Sequence, residues 1–263
     1  MEGEHFEKQL QKLDDKDLSF HFSVDDVLPA LIAVTDENLP LVAHPFFKQL
    51  RYIYEQYGVR TGLNLFYSYV IDGRERYLHE VRVLKEELTD DWLYFAPHAL
   101  NFDTPPYMQA IVSQLSMVKD IVNEIDRIAC GSRSTALRFH HYSECFEIAD
   151  ELIHLGFNEI FLTDKDVGSH RLPKWQRELI LMNGGIVHNN LKMTRTHYRV
   201  ENLANDKYTD EQLLRSFSDT LTRYSRVIIY SHEYEHVRDE VNVMLSRAIR
   251  ILVDELGLKP DRP

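Results

Sequence analysis

Two adjacent carboxylates, Asp25 and Asp26, close a short apolar run, and imidazoles recur further along at His98, His140, His141 and His232. Carboxylates and imidazoles are the side chains that hold divalent ions and move protons near neutral pH. Buried side by side, Asp25 and Asp26 would repel each other without a cation or a shared proton. A divalent ion supplies that cation: one carboxylate ligates it, while its neighbour on the other side of the chain accepts a proton from an attacking water. The plainer alternative is an N-cap pair opening a helix at Val27. His232-Glu233-Tyr234-Glu235-His236 also fits His-Glu-x-x-His, in which two imidazoles one helical turn apart grip zinc and the Glu activates water. That chemistry needs a helix, whereas Arg226–Tyr230 reads as a strand running into the motif.

These residues need elements that converge. Short β-branched or aromatic runs alternate with longer stretches of helical spacing. The expected strands are Ser19–Val24, Thr61–Tyr67, Trp92–Ala96, Ala136–Phe139, Glu159–Leu162, Gly185–Val187 and Arg226–Tyr230. The expected helices are Phe46–Tyr57, Tyr77–Leu88, Tyr107–Ile128, Glu144–Leu155, Thr209–Tyr224 and Val237–Leu256. Periodicity fits an open doubly wound sheet or a barrel equally. In either, functional groups gather at the carboxyl ends of the strands. There lie Asp25-Asp26, then His98 to Asp103, His140-His141-Tyr142, Asp164 with Asp166, and Ser231-His232-Glu233.

The 263 residues, 44% hydrophobic, suffice for a large core. No Pro/Gly/Ser-rich linker divides the chain, so residues 18–263 are expected to form one domain, with residues 1–17 as an N-terminal helical extension. Lys and Arg total 30 against 42 for Asp and Glu, a net charge of −12, which argues against a nucleic-acid partner. No apolar run reaches the roughly 20 residues of a membrane span, so no membrane partner is expected. The start of the sequence carries no signal-peptide pattern, and a cytoplasmic location is expected. Cys130 and Cys145 read as ordinary thiols. The last helix offers a surface for a homo-oligomer.

Phe20-His21-Phe22-Ser23-Val24-Asp25-Asp26 resembles the first motif of the polysaccharide deacetylases, the NodB-homology superfamily. Leu137-Arg138-Phe139-His140-His141-Tyr142 resembles the third, Gly156-Phe157 with Leu162-Thr163-Asp164 the fourth, and Val227-Ile228-Ile229-Tyr230-Ser231-His232 the last. The resemblance implies an α/β fold, a distorted (β/α)7-type barrel in a single domain. It implies Asp25 as general base, Asp26 and His98 as metal ligands, Arg138 orienting the base, Asp164 supporting Arg138, and His232 as general acid. The family's second metal histidine falls at Phe102, a departure; Asp103, or second to it Asn101, is an oxygen donor able to replace it. Tyr142, His140, His141, Tyr67 and Asp164 are expected to meet the substrate. The implied activity is metal-dependent removal of an acyl group, first of all N-acetyl, from a carbohydrate or amino sugar. The implied cofactor is a divalent ion, zinc first, with cobalt, nickel or manganese as alternatives. Competing readings are the zinc metallopeptidase and a disabled barrel serving as a carbohydrate-binding module, the latter favoured by Phe102 and by the 14 Tyr and 13 Phe residues.

Overall fold

Strand β1, Ser19–Asp25, shows how the sequence divides into two layers. Phe20, Phe22 and Val24 face one way into the main apolar core, whereas Ser23 and Asp25 face the other way, where both meet Arg138. Buried on both faces, such a strand suits a parallel sheet covered by helices. The computed structural model describes residues 18–83 and 85–262; the expected extension over residues 1–17 lies outside the described residues.

The remaining strands are β2 (Thr61–Phe66), β3 (Ser68–Ile71), β4 (Arg74–Tyr77), β5 (Leu93–Ala99), β6 (Ala136–Leu137), β7 (Glu159–Leu162), β8 (Gly185–His188), β9 (Leu191–Arg195), β10 (Tyr198–Arg199), β11 (Arg226–His232) and β12 (Lys259–Pro260). One sheet runs β10-β11-β1-β2-β5, all parallel, with β12 pairing the start of β1. A second runs β6-β7-β9-β8. Two links join them. Phe95 makes a parallel bridge to Arg133, and β9 continues through Thr196 and His197 into β10. Counting β9 and β10 as one bent strand, seven parallel positions form a distorted (β/α)7-type barrel in a single domain, as expected.

The helices are α1 (Leu28–Glu37), α2 (Pro45–Tyr57), α3 (Lys85–Leu88), α4 (Ile111–Ala129), α5 (Ala149–His154), α6 (Lys174–Asn183), α7 (Val200–Asn205), α8 (Asp210–Tyr224) and α9 (Asp239–Arg250). α4 buries Met117, Val118, Ile121, Val122, Ile125 and Ile128 along one stripe. α8 opens on a capping box in which Thr209 and Gln212 each bond the other's backbone N–H. Among the described residues no helix is long and apolar enough to cross a membrane.

Three element expectations are corrected. The helix expected over Tyr77–Leu88 is broken: β4 ends at Tyr77, one 3-10 turn covers Leu78–Glu80, and only Lys85–Leu88 is α-helical. Val81 and Val83 within that stretch favour extended backbone. The helix expected from Glu144 starts as a 3-10 turn at Phe146, after Cys145 takes a φ of 36°. The sixth barrel strand is β9, parallel to β7; the expected Gly185–Val187 run lies in β8, antiparallel at the sheet edge. Asn189 and Asn190, with φ of 47° and 63°, make the two-residue turn that reverses the chain between them.

Candidate metal centre and acid–base groups

Asp25, the last residue of β1, is buried, and two donors share its Oδ1: Asn64 Nδ2 at 2.7 Å and Arg138 Nη1 at 3.1 Å. Arg138 is itself fixed by Ser23 at 3.0 Å, Thr196 at 3.3 Å and the Tyr230 ring 4.1 Å away. Asn64 also accepts the Arg138 backbone N–H, at 3.3 Å, so both donors are locked to each other. Burial raises the pKa of Asp25, but Arg138, His98, His232 and the Asn64 hydrogen bond outweigh it and hold the carboxyl below its usual range. Asp25 stays ionised and able to take a proton.

Asp26 follows in a left-handed conformation, φ 66°, which Asp tolerates better than most residues. Its surroundings differ entirely from those of Asp25. Oδ1 lies 3.2 Å from His98 Nε2 and 3.8 Å from His140 Nδ1, and those two nitrogens are 3.1 Å apart. His98 comes from β5 and His140 from the turn after β6. On its far side each ring meets a backbone carbonyl: His98 Nδ1 the Arg138 oxygen at 2.6 Å, His140 Nε2 the Phe102 oxygen at 3.0 Å. A carbonyl only accepts, so each ring's proton sits there. The facing nitrogens then both present lone pairs, toward each other and toward a carboxylate.

Burial above all pushes His140 down to about 3, so a proton on His140 does not relieve the conflict. Asp26 Oδ1 is buried and takes no aligned hydrogen bond. Three bare ligand atoms therefore converge on one point, and a divalent cation fits them. Their separations match the roughly 3.3 Å between ligands of a tetrahedral zinc with bonds of about 2.0–2.1 Å. Both carbonyls also fix the ring orientation, as backbone partners of metal-bound histidines do. His141 and Tyr142, at φ of 54° and 51°, add local strain beside the triad.

His232, which ends β11 opposite Asp25 across the ladder, presents Nδ1 to Glu201 of α7 in a very short contact. Burial lowers its pKa, but Glu201, Asp25 and Asp26 outweigh that and the net shift is upward. The protonated form of that imidazole is thereby favoured beside Asp25. These groups line one cavity of about 200 Å³ with Arg138, His140, His141, Tyr142, Arg199, Phe102 and Tyr234.

Of the residues singled out in sequence, Asp25, Asp26, His98, Arg138, His140, His141, Tyr142 and His232 all line that cavity. Asp103 is exposed and stands outside the group formed by Asp26, His98 and His140. Phe102 contributes its carbonyl rather than its side chain. Asp164 does not touch Arg138; it accepts from the Tyr142 hydroxyl at 3.2 Å and lies 3.7 Å from Arg199. Tyr67 is not among the cavity residues and packs edge-on to Tyr77, centroids 6.2 Å apart. Sequence reasoning missed Glu201 and Asn64, and gave His140 to the substrate. Asn64 had left a signal, as a lone amide in the apolar run Thr61–Phe66.

The His-Glu-x-x-His segment is not an α-helix, since Glu233–Val237 is a 3-10 helix following the end of β11. Both nitrogens of His236 are engaged elsewhere, by Ser231 Oγ at 3.0 Å and Asn242 Oδ1 at 2.8 Å. Without one face carrying both imidazoles, the metallopeptidase arrangement is not formed.

No family model matches the chain, and no curated protein does. Among solved structures it is similar to a 4-α-glucanotransferase from Thermococcus litoralis, with a TM-score of 0.55 and 9% identity over 89% of this chain. The chain spans about a third of that enzyme's length, 36%. It is similar also to a CE4 esterase from Streptococcus mutans, TM-score 0.48 and 12% identity, covering 96% of this chain and 88% of that one. A polysaccharide-deacetylase-like protein from Mycobacterium smegmatis gives 0.49 and 8%, covering 95% and 96%. The likeness is one of fold alone: the chain is a distorted (β/α)7-type barrel, with no more than 12% identity to any of these three structures.

Proposed function

We propose that the protein is a metal-dependent hydrolase, a divergent relative of the polysaccharide deacetylases, that removes an acyl group, first of all N-acetyl, from a carbohydrate or amino sugar. The observation that carries this is the convergence of Asp26 Oδ1, His98 Nε2 and His140 Nδ1 beside a separately held carboxylate and a carboxylate-backed imidazole. When bound, a divalent ion there supplies a Lewis acid for the acyl carbonyl and its developing oxyanion. Zinc suits the two-imidazole, one-carboxylate donor set, with cobalt, nickel and manganese as alternatives. Asp25, aligned by Arg138 and Asn64, takes the proton of the attacking water. His232, whose protonated form Glu201 favours, gives a proton to the departing nitrogen. Tyr142, His141 and Arg199 stand where the sugar enters.

His140 also answers the departure at Phe102, because a nitrogen from another strand end takes the third ligand position. Metal content of identically purified wild type, His140→Ala and Asp103→Ala, with acetate release from N-acetylated sugars, tests the assignment. Expected is a near-stoichiometric ion in wild type and Asp103→Ala, and its loss with activity in His140→Ala. An ion retained by His140→Ala and lost from Asp103→Ala would restore the oxygen ligand expected from sequence.

A further inference from the structure

Arg199 on β10 lines the candidate cavity, yet its guanidinium bonds neither Asp25 nor any atom of the triad. Its partners are phenols. Nε donates to the Tyr230 hydroxyl at 2.5 Å and Nη2 to the Tyr142 hydroxyl at 2.6 Å, while the guanidinium carbon stands 5.2 Å from the centre of the Tyr230 ring. The two hydroxyls meet each other in a very short contact, and both reach Asp164, Tyr142 at 3.2 Å and Tyr230 at 3.4 Å. Each phenol has a single proton, which goes to its neighbour or to Asp164, so its oxygen is free to accept from Arg199.

A guanidinium carries five N–H donors in one plane. The tyrosines occupy the edge formed by Nε and Nη2. Nη1 has no hydrogen bond among the described residues, and the side chain is 26% exposed, so this atom is open rather than sealed in. The outer edge, formed by Nη1 and Nη2, is therefore a two-pronged donor that the fold holds still and leaves without a partner. The carboxylates nearest Arg199 do not fill it. Asp164 and Glu201 stand 3.7 Å and 3.9 Å from Nε, on the occupied edge, and neither lines the cavity. The carboxylates that do line it are directed elsewhere, Asp25 to Arg138 and Asp26 into the triad.

The open edge selects the ligand class. A sugar hydroxyl presents one oxygen and engages one prong. A carboxylate or a phosphate presents two oxygens that match both, through charge-assisted bonds roughly twice as strong as neutral ones. Because the guanidinium is already fixed, little side-chain freedom is lost when such a group docks. We propose that Arg199 recognises an anionic group on the substrate, and that the cavity takes an acylated amino sugar bearing a carboxylate or a phosphate in preference to a neutral one. The proposal rests on the carbohydrate reading above and narrows its substrate class. Tyr230 and Asp164 act through Arg199 as positioning residues, whereas Arg199 touches the ligand itself.

The test is NMR titration of wild type, Arg199→Gln and Arg199→Lys with N-acetylglucosamine, with its 6-phosphate and with N-acetylmuramic acid, which carries a carboxylate. Expected for wild type is an affinity for at least one of the two anions at least about tenfold above that for the neutral sugar. Comparing the two anions tells carboxylate from phosphate. Arg199→Gln should bring the ratio close to one, and Arg199→Lys, which keeps the charge without the paired prongs, should fall between. No preference in wild type, or a preference that survives in Arg199→Gln, overturns the proposal; a full preference in Arg199→Lys overturns the two-pronged contact. The wild-type comparison needs no substitution, and melting temperatures check that the variants fold. Acetate release from the same sugars by the metal-loaded wild type is read separately. Release without discrimination by charge would sink the anion contact and keep the deacetylase reading, whereas anion-selective binding without release would sink the deacetylase reading alone.

Discussion

Asp25 and Asp26 are neighbours with opposite surroundings, and that contrast divides the labour between them. Asp25 meets Arg138 and Asn64, whereas Asp26 meets two imidazole lone pairs. Asp25→Asn should lower kcat by about a thousandfold while the ion stays bound, as steady-state kinetics with metal analysis would show; near-normal turnover would remove Asp25 as the base. Glu201→Gln takes away a charge that raises the pKa of His232. The proposed general acid then loses its proton at lower pH, so the alkaline limb of the kcat/KM profile should move toward acid, and a fixed limb would assign the proton elsewhere. At this scale the sequence exposed the chemistry that is local, since an Asp-Asp pair or a strand-end His is visible by itself. The place of His140 in the triad was hidden because its partner His98 lies 42 positions away, and no linear spacing encodes that meeting. Glu201 was hidden because the short α7 carrying it was not foreseen.

Elements explain why those partners meet. β6 has only two ladder residues, yet the chain leaving it carries Arg138 to the base and His140 to the triad. Strand positions were largely legible, because the apolar alternation of Phe20–Val24 and the apolar run Val227–Tyr230 read clearly. The β8–β9 hairpin was not, because Gly185–Val187 has strand character and only the Asn189-Asn190 turn decides its direction. Gly185 there has its own constraint: a Cβ would stand 2.6 Å from the Met193 carbonyl oxygen. Gly185→Ala should therefore destabilise the protein by about 1–3 kcal/mol, read as a lowered urea midpoint; an unchanged midpoint would mean that the hairpin edge yields freely.

Across the whole molecule, the candidate site occupies the carboxyl ends of the strands and a charged plug occupies the other end. Glu159 starts β7 and holds Arg226 at 2.7 Å and Lys192 at 3.0 Å, while Arg226 also bonds Asp261 at 2.5 Å. Burial raises the Glu159 pKa, but Arg226, Lys192 and Thr194 outweigh it and the folded value lies below the usual one. Its stabilising effect is thus full above the unfolded glutamate pKa and disappears as pH falls through the lowered folded value. Glu159→Gln should cost roughly 3 kcal/mol near neutrality. The gap to wild type should narrow toward about pH 3, as urea midpoints at both conditions would reveal; a pH-independent gap would rule out the charge as its origin.

The triad gathers from the ends of β1, β5 and β6, far apart in the chain. An unfolded chain cannot reproduce it, so whatever ion occupies it binds the native state alone. By mass action each tenfold excess of free ion over its dissociation constant then adds about 1.4 kcal/mol to the unfolding free energy. Heating the protein in a series of buffered metal concentrations should therefore rank zinc, cobalt, nickel and manganese by affinity. That ranking would come from melting curves alone, before any substrate is known.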